Sequence, residues 1–226
     1  MRVAALYDVH GNLPALDAVL ADVERAGADA ILVGGDVAAG PFPSETVERL
    51  RALGERVRWI RGNADRELAP DEEGNAPPEL IEWIRGRLSD EQVSFLRGLP
   101  EQQALDVDGL GRVLFVHATP RNDTEIFTAI TPDERVAPAL AGVEADVLVC
   151  GHTHVQFDRV VDGIRVVNAG SVGMAYEDEP GACWAMLGPA VELRRTPYQL
   201  DTGDWPDEWP SASAAEATEF FERSAI

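Results

Sequence analysis

The only imidazoles in this chain of 226 residues are His10, His117, His152 and His154. Each lies just past a short apolar run of the kind that forms a buried strand. Residues 3–7 precede Asp8-Val9-His10, residues 113–116 precede His117, and residues 146–150 precede Gly151-His152-Thr153-His154. Side chains repeat with period two along a strand, so Asp8 and His10, like His152 and His154, can lean toward one face. Two more polar residues hold the same position: Asp36, after residues 30–33 and a Gly34-Gly35 pair, and Asn63, after residues 57–60 and Arg61-Gly62. Carboxylate, imidazole and carboxamide together suit a borderline divalent ion such as manganese, iron or zinc, not calcium; there is no thiolate set for a structural zinc. The seven candidate ligands Asp8, His10, Asp36, Asn63, His117, His152 and His154 are too many for one ion but fit two. A carboxylate such as Asp36 could bridge them, since paired hydrolytic ions stand about 3.5–4 Å apart. Taken singly, the clusters are weak. Gly34-Gly35-Asp36 reads as a turn after a strand, Gly62-Asn63 as a turn pair, and His117 as a core histidine. Their order and shared context point to chemistry.

The composition bounds what that chemistry serves. With 45% hydrophobic residues the chain can bury one sizeable core. No apolar run is long enough for a membrane span, and Asp8 and His10 interrupt the N-terminal run that a signal peptide would need. Cys150 and Cys183 fall in buried-strand runs, which fits reduced thiols in a cytoplasmic protein rather than a disulfide. The net charge is −21, and all 19 basic residues are arginine. Such a surface argues against broad binding to polynucleotides or anionic membranes. A small anionic substrate is still allowed, because bound divalent cations would dominate the local field.

The elements that must position these residues alternate. A helix is expected after Asn12, with Pro14 in its first turn, Leu13, Leu16, Val19, Leu20 and Val23 on one face, and Gly27 closing it. A second helix is expected from a cap at Ser44, burying Val47, Leu50 and Leu53. Strand, helix, strand, helix, strand, with a polar residue after every strand, reads as a mostly parallel sheet carrying functional groups at its carboxyl edge. Residues 66–101 break this rhythm with a polar loop and two short helices, the second opened by the capping box Ser89-Asp90-Glu91-Gln92. This insertion either borders the mouth of the site or only covers a sheet face. Hairpins are expected around Asp108-Gly109 and Asp162-Gly163, and a last one through Gly188-Pro189. Thr131-Pro132-Asp133-Glu134 should open a helix through a capping box. From about residue 201 an acidic tail begins, with a short helix possible after Ser213, whose pairing with Glu216 makes another capping box.

Asp8-x-His10, Gly34-Gly35-Asp36, Gly62-Asn63, His117 and Gly151-His152-x-His154 resemble the five motifs of the calcineurin-like metallophosphoesterases. Within them, the chain is most similar to the small bacterial group of YfcE-like phosphodiesterases and proteins related to diadenosine tetraphosphate hydrolases. The resemblance spans roughly residues 1–195 and includes Asn168-Ala169-Gly170-Ser171, similar to the family's Asn-Pro-Gly-Ser loop. It implies an α/β fold, a four-layer αββα sandwich of two mixed β-sheets flanked by helices. The domain would cover 1–200, with the helical insertion near 66–101 and the tail over 201–226.

The resemblance also implies two divalent metal ions, manganese first, with iron, zinc, nickel or cobalt as alternatives. Asp8, His10, Asp36 and His154 would hold one; Asp36, Asn63, His117 and His152 would hold the other. The expected reaction is hydrolysis of a small phosphomonoester, phosphodiester or nucleotide polyphosphate by a hydroxide bridging the two ions. Asp36, Asn63 and His152 are the expected catalytic residues. Asn63 and Arg121 would grip the phosphate, unless Arg121 is tied up in an ion pair with Asp123 or Glu125. One position departs from the family pattern. Many members follow the Gly-Asn pair with a histidine thought to protonate the leaving group, where this chain has Ala64. A positioned acid is worth about 10²–10⁴ in rate, so leaving groups that depart as stable anions are expected, unless another acid such as Asp65 or a metal-bound water fills the role. The rivals are a scaffold that keeps the fold without chemistry, like the retromer subunit, and a nuclease. Complete ligands argue against the first, and the lack of a basic stripe or aromatic platform argues against the second. The expected partner is thus a small phosphorylated substrate, with no polynucleotide and no membrane, and a homo-oligomer is left open.

Overall fold

In the computed structural model, which describes residues 1–69 and 78–199, strand β1 (Val3–Leu6) is buried on both faces. Its period-two alternation divides the core. Ala4 and Leu6 face one apolar cluster, whereas Val3, Ala5 and the following Tyr7 face another. Strands β2 (Ala30–Val33) and β3 (Val57–Trp59) lie parallel to β1 in the order β1-β2-β3. On the other side, β9 (Ala182–Leu187) runs antiparallel to β1 and pairs with β10 (Val191–Thr196). In the second sheet, β5 (Gly111–Val116), β6 (Val147–Cys150) and β8 (Ile164–Asn168) are parallel neighbours. It is edged by the antiparallel strands β4 (Gln102–Val107) and β7 (Phe157–Val161).

The three clusters are the spaces between four layers. The middle one packs Val3, Ala5, Tyr7 and Leu32 of the first sheet on Val113, Phe115, Val149 and Val167 of the second. The buried Tyr7 hydroxyl crosses this space to donate to the Val149 carbonyl at 3.0 Å. Outside the first sheet lie α1 (Leu13–Ala26), α2 (Pro43–Arg51), α4 (Pro78–Arg85) and α5 (Asp90–Arg97); outside the second lies α6 (Asp133–Leu140). Two mixed five-stranded sheets packed face to face between helices form a four-layer α/β sandwich. Among the described residues no helix is long and apolar enough to cross a membrane. Cys150 and Cys183 are buried and unpaired, in different sheets.

The helix ends follow local chemistry where that chemistry has no competitor. Asn12 accepts from the Ala15 N–H (3.1 Å), Pro14 sits in the first turn, and Gly27 closes α1 in the left-handed conformation at φ 68°. The Ser89 capping box forms as expected, with the Gln92 side chain accepting from the Ser89 N–H at 2.9 Å. Two expected caps do not form. Helix α2 starts at Pro43, and the Ser44 hydroxyl meets Gln92 of α5 instead of its own backbone. The Thr131 hydroxyl accepts from the Thr128 N–H at 2.8 Å, so α6 begins after Pro132 without a side-chain cap. In both places a partner from outside the helix took the oxygen. The insertion helices pack Trp83, Ile84, Phe95 and Leu96 against the first sheet's outer cluster, and so cover that sheet face. The polar loop at 70–77 and the acidic tail, with its expected helix after Ser213, lie outside the described residues.

Candidate metal centre

The parallel ladder of β1 and β2 continues beyond the strands. The Asp8 N–H donates to the Gly35 carbonyl (3.1 Å), His10 N–H to Asp36 (2.9 Å) and Gly11 N–H to Val37 (2.8 Å). On the facing rim, Gly151 N–H donates to the His117 carbonyl (2.9 Å), and His152 N–H crosses between sheets to the Asp8 carboxylate (2.8 Å). These loops carry left-handed backbone at Asp8, His10, Asp36, His152 and His154, with φ between 46° and 66°. Non-glycine residues rarely adopt that region, at a cost of order 1–3 kcal/mol each. Here the turns bring side chains from both sheets to a common point.

Three histidines arrive with their tautomers set. His10 Nδ1 lies 3.0 Å from the Ala39 carbonyl, His117 Nδ1 2.8 Å from Gly34, and His154 Nδ1 2.8 Å from Met174. A carbonyl can only accept, so each Nδ1 carries a proton and each Nε2 is the nitrogen turned inward, able to ligate a cation once unprotonated. Those Nε2 atoms surround Asp8 Oδ1, at 3.5 Å for His154, 3.8 Å for His117 and 4.0 Å for His10. Asp36 Oδ2 lies 3.4 Å from His117 Nε2 and 3.8 Å from His10 Nε2, between the two rings. His10 and His154 Nε2 approach to 3.2 Å. Asp8 Oδ1 is fully buried and has no hydrogen-bond partner among the described residues. A buried carboxylate oxygen without a donor is costly, and a cation among these atoms satisfies all of them at once. Asp8, His10 and His154 form one group with metal-ligand spacing, and Asp8, Asp36 and His117 a second. Asp8 is thus common to both groups, whereas the sequence resemblance put the shared role on Asp36. The imidazole N–H bonds to carbonyls are also what metal-binding histidines normally make. The donor set fits divalent cations.

Asn63 and His152 sit half-buried at the edge of this cluster. The Asn63 carboxamide meets His117 Nε2 at 3.1 Å; turned with its NH2 inward it also donates to His152 Nδ1 at 3.1 Å. The His117 and His152 rings stand edge to face, with centroids 5.2 Å apart. Arg121 is elsewhere. Its guanidinium forks onto Glu125, the surface ion pair weighed for it from sequence, and not onto the cluster.

Further residues brace the site, among them Asn168 and Ser171 of the loop singled out by the resemblance. Asp65, on the short helix α3 (Asn63–Glu67), is fully buried and accepts from the N–H groups of Asp36 (2.8 Å), Val37 (3.0 Å) and Gly62 (3.0 Å). It therefore ties the Gly34-Gly35-Asp36 loop to the Gly62-Asn63 loop. Asn168 donates to the Gly151 carbonyl (2.7 Å) and to Thr153 Oγ1 (3.0 Å), and the Ser171 hydroxyl donates to the Asp8 carbonyl (2.7 Å). Close approach explains Gly62, where a Cβ would overlap the Asp36 carboxylate.

The electrostatics are those of a concentrated negative site. Burial disfavours the Asp36 charge, yet His117 and then His10 beside it hold its carboxyl well below the usual range. Burial likewise opposes protonation of His117, but the neighbouring Asp36 and Asp8 carry it up to about 10. Burial and the nearby His117 push His152 down to about 4, whereas burial and the Asp36 charge push Asp65 up to about 7. Two carboxylates thus draw positive charge into a dry pocket, the field a cation would answer.

Comparison with known proteins gives the same picture. Residues 1–188 match the calcineurin-like phosphoesterase superfamily domain. The chain is 30% identical to the uncharacterized protein MJ0912 of Methanocaldococcus jannaschii, over 78% of this chain and 71% of that protein. It is 34% identical to a symmetrical bis(5'-nucleosyl)-tetraphosphatase of Cronobacter sakazakii, over 59% of this chain but 49% of the relative, so it spans about half of that enzyme's length. Among solved structures, a metallophosphoesterase from Sphaerobacter thermophilus superposes with a TM-score of 0.70 at 28% identity, covering 88% of this chain and 90% of the other. With both sheets, the loops at their carboxyl ends and most of its length accounted for, the chain belongs to the calcineurin-like phosphoesterase superfamily and is a hydrolase of phosphoric esters.

Proposed function

We propose that Asp8, His10, Asp36, Asn63, His117, His152 and His154 hold two divalent cations and that the protein hydrolyses a small phosphorylated substrate there, a phosphomonoester, a phosphodiester or a nucleotide polyphosphate. One observation carries this reading: the buried, donorless Asp8 Oδ1 faces the inward Nε2 atoms of three histidines. Bound divalent cations lower the pKa of water and neutralise charge on phosphate oxygens. The chain's residues supply position. Backbone carbonyls fix the three tautomers, Asp65 holds two loops in register, and Asn63 and His152 offer hydrogen bonds to the phosphate from the exposed edge.

Leaving-group protonation falls to neither candidate at its usual place. Ala64 has no proton to give, and both Asp65 oxygens accept from backbone N–H groups. The proposed substrates therefore depart as stable anions, such as aryl phosphates or the nucleotide end of a polyphosphate. Chelator-stripped protein titrated with manganese in a calorimeter should bind two ions per chain, and turnover of bis(p-nitrophenyl) phosphate should appear only with metal. A single bound ion, or turnover in the stripped protein, overturns the reading. Across phosphoesters of rising leaving-group basicity the rate should fall steeply; a flat profile would reveal another acid.

A further inference from the structure

Three consecutive side chains of the short helix α3 have separate attachments. Asp65 accepts from the backbone of two loops, and Arg66 forks onto Asp123 with contacts of 2.8 and 3.3 Å. Glu67 turns back toward the site. It is a carboxylate only 3% exposed, one helical turn past Asn63, and its Oε1 accepts from the Asn63 NH2 at 3.3 Å. Residues four apart on a helix meet in this way, because the later side chain leans toward the helix N-terminus. Burying a carboxylate costs free energy that its hydrogen-bond partners must offset.

The Asn63 carboxamide has two ways to sit, and they differ in what they offer a cation. With the NH2 inward, it donates to His117 Nε2 (3.1 Å), His152 Nδ1 (3.1 Å) and the Asp123 carbonyl (3.3 Å). That orientation presents a donor to the metal centre and occupies ring nitrogens of two candidate ligands. With Oδ1 inward, the oxygen lies 3.1 Å from His117 Nε2 and the NH2 is left to Glu67. The amide oxygen is the end that can ligate, since the NH2 group only donates.

We propose that Glu67 is a positioning residue: by accepting from the Asn63 NH2 it holds the Asn63 oxygen toward the cations and so sets the affinity of the ion beside His117. The proposal rests on the metal-centre reading and adds to it a residue that acts through Asn63. Partners of this kind orient metal ligands and raise their basicity, and losing one typically costs about 10–100-fold in metal affinity. The two attachments of α3 at Asp65 and Arg66 keep the helix in place, so the orientation of the carboxamide is what Glu67 is left to decide.

Manganese titrated calorimetrically into chelator-stripped full-length protein tests this without turnover. E67M, close to glutamate in length but lacking an acceptor oxygen, should weaken one of two ions by at least about tenfold and leave the other within about threefold. E67Q still offers an oxygen and should stay within about threefold of the native protein for both. The deciding background is N63D. A carboxylate presents an oxygen inward whichever way it turns, so adding E67M to N63D should cause no further loss. The same tenfold loss in that background overturns the proposal, because Glu67 would then act through the fold and not through the amide. Native affinity in E67M overturns it too, as does an equal loss in E67Q. E67L takes the place of E67M where the melting curve shows E67M unfolded. A native protein that binds a single ion strikes the two-cation reading instead, and the same comparison run on that ion still decides Glu67. Binding of no ion at all removes both.

Discussion

The loops that carry Asp8, His10, Asp36, His152 and His154 share one backbone feature with the hairpin turn at Asp162-Gly163: left-handed φ at a residue with a side chain. At the hairpin the reason is local. Asp162 at φ 49° and Gly163 at φ 83° are the two central residues of the turn between β7 and β8, whose twist a pair of positive φ values matches. At the metal centre the reason is remote. Asp8 takes φ 52° while its N–H is held by Gly35, its carboxylate by His152 and its carbonyl by Ser171. The same dihedral is ordinary turn chemistry in one place. In the other it is strain held by contacts with residues up to 163 positions away.

Three substitutions sharpen this contrast. The largest effect is expected from D36N, which keeps the side chain's shape and removes its charge. Turnover should fall by at least about 10³-fold, roughly 4 kcal/mol in the barrier, and metal stoichiometry should drop below two in the calorimeter. Native metal content and rate in D36N would break the proposed centre. Next comes D65A, which leaves three buried N–H groups without their acceptor. Its cost should be about 3 kcal/mol, a fall in Tm of roughly 6–12 °C for a domain of this size. An unchanged Tm would mean that the two loops do not depend on each other. The smallest belongs to the hairpin. D162N should change stability by no more than about 0.5 kcal/mol in a urea melt, since asparagine tolerates the same φ. A large loss there would erase the distinction between local and remote causes.

How much could be read beforehand follows the same division. Helix α1 was legible from Asn12 to Gly27 because cap, proline and closing glycine all act within a turn of the backbone they satisfy. Both Asp-Gly hairpins and the Ser89 capping box were legible for that reason. Ser44 and Thr131 have the right residue type for a cap and still do not cap, since Gln92 and the Thr128 N–H reach their hydroxyls first. Helix α3 was missed because Gly62-Asn63 reads as a turn. Asp65 was legible only as a possible acid, and its bracing role was not, because one aspartate among many has no pattern to mark the three N–H groups waiting for it. Arg121 stood open between two partners, and only the fold of its loop could give it to Glu125.

By itself, then, the sequence determined the alternation of strands and helices, the fully buried strands and the kinds of donor atom that follow them. These depend on periodicity and on interactions within a few residues. The tertiary structure alone decided which nitrogen of each ring faces inward, since the carbonyls of Gly34, Ala39 and Met174 that hold Nδ1 come from distant loops. It also left Asp8 Oδ1 buried with imidazole Nε2 atoms around it, because an atom's surroundings in a packed core are contributed by the whole chain.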